Sequence, residues 1–149
     1  PRANIFMGDT GSLILGFLLS CLAIMGSWRT EAITLSFSIP LVILAYPIFD
    51  TTLVTIIRLR EGRSIFQGGR DHSSHIMAYA GFRNKKAVLV IFLTCLILGA
   101  AGLAIKYCPP KIGFMALAAV VIGMGLFGLR LLNIRTKMVE MRDGKQRKN

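Results

Sequence analysis

Acidic residues, histidines and cysteines are scarce in this chain. Its 149 residues include 7 Asp and Glu, 2 His and 3 Cys, against 18 Lys and Arg. Three cysteines without a CxxC pair exclude a disulfide framework, and two histidines with no cysteine nearby are too few for the usual zinc site. Only 17% of the residues are charged, whereas 54% are hydrophobic. If the hydrophobic residues form continuous runs, this composition excludes an ordinary soluble domain.

The apolar residues are continuous. They form four uncharged blocks of 18 or 19 residues each, at 10–28, 32–49, 87–105 and 112–129. Each block approaches the ~20 residues that a helix needs to cross a bilayer. We therefore predict an all-α, polytopic integral membrane protein with one membrane domain over 1–134. Its predicted parts are four transmembrane helices at about 10–28, 33–57, 87–107 and 112–134, a loop over 58–86 and a basic tail over 135–149.

The basic residues predict how the chain is oriented. Fifteen of the 18 lie before the first block, between the second and third, or after the fourth, and only Arg29, Lys106 and Lys111 lie on the other side. The positive-inside bias then places both ends and the 58–86 loop in the cytoplasm. Such a surface suits the lipid bilayer and phosphorylated substrates. Nucleic acid is a poor partner, because the charges flank membrane spans and lack interleaved aromatic residues.

A glycine-rich turn before the first block holds one carboxylate. The stretch reads Ile5-Phe6-Met7-Gly8-Asp9-Thr10-Gly11-Ser12-Leu13. A carboxylate at a helix N-terminus and a membrane surface can hold a metal ion and a phosphate together. The alternative interpretation is a helix cap, since Asp, Thr and Ser are all good N-cap residues.

The predicted cytoplasmic loop carries both histidines, in Arg70-Asp71-His72-Ser73-Ser74-His75. We predict that Asp71 caps a short helix on which His72 and His75 share one face. Arg70 and both imidazoles can contact phosphate oxygens there. A solvated polar loop is the alternative.

Asp50 is an acid within the second predicted span, in Pro47-Ile48-Phe49-Asp50-Thr51. A carboxylate at that depth costs ~2.5–3.5 kcal/mol on insertion scales, so it should face the helix bundle or a wet cavity. We favour a functional role over a structural polar contact. Pro40 and Pro47 also predict a bend in this helix.

Three segments together resemble one superfamily, by their order and spacing. They are the stretch from Ala3 to Leu13, the segment Pro47–Thr51, and the segment from Gly62-Arg63-Ser64 to His75. They resemble the polyprenyl-phosphate N-acetylhexosamine-1-phosphate transferases, which include phospho-MurNAc-pentapeptide translocase and the bacterial UDP-GlcNAc:undecaprenyl-phosphate GlcNAc-1-phosphate transferases. The resemblance covers about the first 85 residues by motif and the remainder by hydropathy alone.

The resemblance implies a membrane enzyme that starts a lipid-linked glycan. A polyprenyl phosphate attacks the β-phosphorus of a UDP-sugar, and UMP leaves. It implies Mg²⁺, or Mn²⁺ in its place, to screen the pyrophosphate, and a bacterial inner membrane location with cytoplasmic active-site loops. The sequence is silent on oligomeric state, and a homodimer is one possible partner arrangement. The implied residues are Asp9 (metal ligand), His72 and His75 as catalytic groups, Phe6 (on the uracil ring), Gly8, Arg70 and Asp71 as substrate-binding groups, and Asp50 as a functional acid without an assigned role.

The chain departs from the family pattern in two ways. It has His72-Ser73-Ser74-His75 where many relatives carry His-x-His-His, which leaves the sugar and the separate histidine roles open. The family's paired Asp motif and its Asn/Asp-rich loop are absent, so we expect the C-terminal portion of a transferase that is inactive alone. Two other classes remain as alternatives: a small four-helix transporter that uses Asp50, and a non-catalytic membrane scaffold.

Overall fold

The computed structural model describes residues 8–25, 32–66, 69 and 71–146, and these residues form six α-helices and no strand. The helices are α1 (Gly8–Met25), α2 (Ile33–Ile43), α3 (Ala45–Arg60), α4 (Ser73–Tyr79), α5 (Asn84–Tyr107) and α6 (Pro110–Gln146). The predicted all-α class is confirmed.

The helices of the described residues include two that are long and apolar enough to cross a membrane. These two lie at Lys85–Tyr107 in α5 and Pro110–Met141 in α6. A third span is present if α2 and α3 are taken together, and the apolar part of α1, Gly8–Leu22, is shorter. A membrane protein with two or three candidate spans is thus supported, and the fourth span stays a prediction.

The second predicted span is not one helix. α2 and α3 meet at Leu44 with a bend of 69°. Pro47 has no N–H to donate to the carbonyl of Ile43, so the hydrogen-bond ladder is interrupted beside the bend. The predicted bend is confirmed, and it divides the span predicted over 33–57 into two helices.

The fourth predicted span lies within a longer helix. α6 continues through residue 134 to Gln146 and has 37 residues. At ~1.5 Å per residue it is roughly 55 Å long, against the ~30 Å hydrocarbon core of a bilayer. It has no proline after Pro110, and Arg135 on its extension binds the loop between α3 and α4. α6 therefore contributes to the surface on which the histidines lie.

Two apolar clusters hold α2–α6 together. The first joins α2, α3 and α5 through Leu35, Ile39, Val42, Tyr46, Leu98 and Ile105. The second joins α3 to α6 through Leu53, Ile57, Ile76, Met77, Ala87 and Leu131. Ile76 is 0% exposed, and truncating such a residue typically costs ~2–5 kcal/mol. The second cluster thus fixes the short helix α4 against three longer ones.

Candidate active site around helix α4

Helix α4 presents both histidines of the chain on its outer side. Ile76 and Met77 face the second apolar cluster, whereas His72 and His75 are exposed. His72 is the N-cap residue, with extended backbone angles (φ −65°, ψ 151°). The prediction that Asp71 caps this helix is therefore wrong by one residue, and the Asp71 side chain is engaged elsewhere.

Asp50 of α3 binds the N-terminus of α4 with both carboxylate oxygens. Its Oδ2 lies 2.8 Å from Nδ1 of His72, and its Oδ1 accepts the backbone N–H of Ser73 at 2.8 Å. The His72 side chain makes no capping hydrogen bond of its own. Asp50 thus supplies the cap from another helix and contacts the imidazole ring at the same time.

A second contact fixes the same turn. The hydroxyls of Tyr46 and Ser73 are 2.7 Å apart, and both side chains are buried. Tyr46 and Asp50 are four residues apart on α3 and so lie on one face of it. One face of α3 therefore binds the N-terminal turn of α4.

Five charged residues form what we call the arginine cluster: Arg58, Glu61, Arg63, Asp71 and Arg135. Arg58 Nε donates to Asp71 Oδ2 at 3.2 Å, and Arg63 Nη2 donates to Asp71 Oδ1 at 2.9 Å. Arg135 of α6 donates to Glu61 at 2.8 Å and to Asp71 at 3.2 Å. The Asp71 side chain is only 4% exposed. The cluster joins α3, the loop and α6 to the residue that directly precedes His72.

The arginines keep both acids of the cluster ionised. Burial alone would raise the pKa of Asp71, but hydrogen bonds from Arg63 and Arg58 outweigh it and hold that pKa below its ordinary value. For Glu61 the hydrogen bond from Arg135 is the largest influence, and its pKa is also lowered. Asp71 was predicted to bind substrate. In this structure its carboxylate is paired with three guanidinium groups, and the substrate-binding role stays a prediction.

Asp9 lies in the first turn of α1 and is exposed. Gly8 before it has φ +66°, a left-handed conformation that favours glycine. Ser12 Oγ donates to the backbone carbonyl of Asp9 at 2.9 Å, and in the described part of the chain the Asp9 carboxylate itself has no polar partner. Its oxygens are therefore available to a cation.

The described residues contain no group of three or more His, Cys, Asp or Glu that could hold a metal ion. Asp9 alone suits Mg²⁺ as one hard oxygen ligand, because Mg²⁺ is commonly bound through one or two carboxylates with substrate phosphates and water. Phe6 and Arg70, two of the predicted substrate-binding residues, lie outside the described residues.

Reasoning from the sequence missed most of the residues that hold α4 and the preceding Asp71 in place. Tyr46, Arg58, Glu61 and Arg135 were not singled out. The available signal was the scarcity of acids, since Glu61 and Asp71 are the acids of a loop rich in arginine. Which arginine meets which acid depends on helix packing, since 74 residues separate Arg135 from Glu61.

The chain is similar to one protein family and to several curated proteins. The family model described as glycosyl transferase family 4 matches residues 1–27. A probable undecaprenyl-phosphate N-acetylglucosaminyl 1-phosphate transferase of Bacillus subtilis is 38% identical over 104 residues, covering 70% of this chain and 29% of that protein. The predicted family resemblance is confirmed.

Other relatives carry similar names. The undecaprenyl-phosphate alpha-N-acetylglucosaminyl 1-phosphate transferase of Escherichia coli K12 is 31% identical, with 71% of this chain and 29% of that protein covered. The decaprenyl-phosphate N-acetylglucosaminephosphotransferase of Mycobacterium leprae is also 31% identical, with 81% and 33% covered. The chain thus spans about three tenths of the length of these relatives. No solved structure gives a significant match.

Proposed function

We propose that the native protein containing this chain transfers a sugar-1-phosphate, most simply N-acetylglucosamine-1-phosphate, from a UDP-sugar to a polyprenyl phosphate. An oxygen of the lipid phosphate forms a bond to the β-phosphorus. The bond from that phosphorus to the oxygen bridging the two phosphates breaks, and its electron pair leaves with UMP. The product is a polyprenyl-diphospho-sugar that starts a lipid-linked glycan.

One observation carries this proposal beyond the names of the relatives. His72 is fixed at the start of α4, with its ring 49% exposed, beside the basic end of a bent apolar helix pair. A phosphate attached to a membrane lipid and a nucleotide from the cytoplasm can meet at such a boundary. An imidazole there can donate a hydrogen bond to a phosphate oxygen or carry a proton.

The roles of the remaining site residues follow from their chemistry. Asp9 is the proposed Mg²⁺ ligand, and the ion would screen the pyrophosphate charge when bound. Gly8 lets the chain turn into α1 so that the Asp9 carboxylate is exposed. His75 contributes a second exposed imidazole one helical turn from His72. Phe6 and Arg70 are proposed to contact the uracil ring and a phosphate.

The proposed setting is a bacterial inner membrane with four spans in this chain. Both chain ends, Asp9 and the 58–86 loop face the cytoplasm in this arrangement, because the basic residues are concentrated there. The UDP-sugar then reaches the site from the compartment in which nucleotides are made.

The test is a pair of carboxylate substitutions in the native protein. Asp9→Asn should lower the turnover number on the order of 100-fold or more at unchanged expression, because a stabiliser of developing phosphate charge is lost. The matched control is Glu140→Gln, which removes the same charge from an exposed position on α6. It should change turnover by no more than about twofold.

The alternatives predict other results. A transporter that moves ions through Asp50 would tolerate Asp9→Asn and fail when Asp50 is neutralised. A scaffold would tolerate both. Turnover that survives Asp9→Asn within a few-fold would remove Asp9 from the metal site.

A further inference from the structure

Asp50 uses its two carboxylate oxygens in different ways. One oxygen accepts the N–H of Ser73, which is a structural cap for α4, and the other contacts the ring of His72. The Asp50 side chain is 20% exposed whereas that of His72 is 49% exposed. The acid is thus largely enclosed, and the imidazole extends from it toward the solvent.

The contact determines which ring nitrogen carries the proton. An ionised carboxylate only accepts hydrogen bonds, so an imidazole nitrogen 2.8 Å from Asp50 must be the protonated one. In the neutral ring the other nitrogen, Nε2, then has a free lone pair. In the charged ring Nε2 is a donor.

The residues on both sides of His72 are also held in place. Ser73 donates its backbone N–H to Asp50, and its hydroxyl pairs with that of Tyr46. On the other side Asp71 is bound by the arginines of the arginine cluster. Position and tautomer of one imidazole are therefore both set by partners on other elements.

We propose that Asp50 is a positioning residue for the transfer reaction. It holds His72 in the tautomer protonated at Nδ1. Nε2 is then the nitrogen that accepts a proton from a protonated phosphate oxygen and, in the charged ring, donates to a phosphate oxygen. The inference rests on the proposed function for the identity of the substrate. Asp50 is thus not an isolated acid within a span. It forms a pair with His72 and acts on the reaction through that imidazole.

The first experiment reads the tautomer without any activity assay. The native protein is labelled with ¹⁵N-histidine, and the His72 signals are identified by their loss in His72→Gln. In the wild type the proton should be on Nδ1. In Asp50→Asn the side-chain amide can donate as well as accept, so we expect the proton to move to Nε2 or to exchange between the two nitrogens. A wild-type ring protonated only at Nε2, or an unchanged tautomer in Asp50→Asn, would overturn the proposal.

The second experiment is a double-mutant cycle on turnover. Loss of an outer partner that orients a functional imidazole typically costs about 10- to 100-fold, so Asp50→Asn should lower kcat by that factor with little change in KM. In the His72→Gln background, Asp50→Asn should lower kcat no further. Losses that multiply would mean that Asp50 acts independently of His72, which contradicts the proposal.

Tyr46→Phe is the matched control for a loosened helix. It removes one hydrogen bond to Ser73 but leaves Asp50 and His72 in contact. A loss of kcat as large as that of Asp50→Asn would assign the effect to the start of α4 rather than to the ring, and would overturn the proposal. Absence of any transfer by the wild type would instead refute the proposed function, while the tautomer measurement would still decide the role of Asp50.

Discussion

Asp71→Asn should destabilise the protein strongly, although Asp71 is a small polar residue in a loop. The Asp71 carboxylate is 4% exposed and accepts hydrogen bonds from Arg58, Arg63 and Arg135. Removing the charge leaves Arg58, itself 8% exposed, with no carboxylate partner, although it keeps its hydrogen bond to the carbonyl of Ile65 at 2.6 Å. Unpairing a buried ion pair typically costs ~3–5 kcal/mol.

The lower end of that range applies, because asparagine keeps one oxygen acceptor and Glu61 still neutralises Arg63 and Arg135. We therefore expect a loss of about 3 kcal/mol in the free energy of unfolding. For a chain of this size ~1 kcal/mol corresponds to about 2–4 °C in Tm, so Tm should fall by roughly 6–12 °C. The measurement is thermal unfolding in detergent, with Glu140→Gln as the control for loss of an exposed negative charge.

The sign of the pH dependence provides a second check on the same variant. The pKa of Asp71 is lowered on folding from its ordinary value of 3.8. Its contribution to stability is therefore fully present above that value and is lost as the pH falls through the lower pKa of the folded state. The Tm difference between wild type and Asp71→Asn should be largest near neutral pH and should shrink under strong acid. A difference below about 1 °C at pH 7, or one that grows in acid, would refute the buried ion-pair reasoning.

Two further predictions concern packing and topology. An added Cβ at Gly128 would lie 3.0 Å from the ring of Phe49, whereas one at Gly125 would have nothing within 4 Å. The Gly128→Ala variant should therefore be less stable than Gly125→Ala by ~1–3 kcal/mol. Equal Tm values for the two variants would contradict this. Cys108, exposed in the turn between α5 and α6, should react with a membrane-impermeant maleimide added from outside the cytoplasmic membrane. Labelling only in inverted vesicles would reverse the proposed orientation.

The sequence was sufficient to predict the elements that depend on local pattern. Apolar runs near 20 residues predicted helices, and Pro47 predicted the interruption beside Leu44, because a missing N–H acts within one turn. The full length of α6 did not follow from composition, because its last turns are polar and basic and lie beyond the predicted span. In this extension Arg135 binds Glu61 and Asp71 of the loop between α3 and α4, a contact that local pattern does not reveal.

The candidate site was predicted by residue but not by arrangement. His72, Asp50 and Asp71 were all singled out. Asp50, however, was given no chemical role, and Asp71 was wrongly predicted to cap α4. The hydrogen bond that the His72 ring donates to Asp50 spans 22 residues and depends on how α4 packs against α3. Sequence periodicity describes one helix at a time, so it cannot pair a carboxylate on one helix with an imidazole on another.

The central claim is that the whole sugar-1-phosphate moves to the lipid. The most direct measurement supplies the native protein with undecaprenyl phosphate, Mg²⁺ and UDP-N-acetylglucosamine that carries radioactive phosphorus only in its β-phosphate. Our account predicts that the label enters the lipid fraction while unlabelled UMP is released. Label that stays in UDP, with sugar alone reaching the lipid, or a lipid fraction without label, would contradict it.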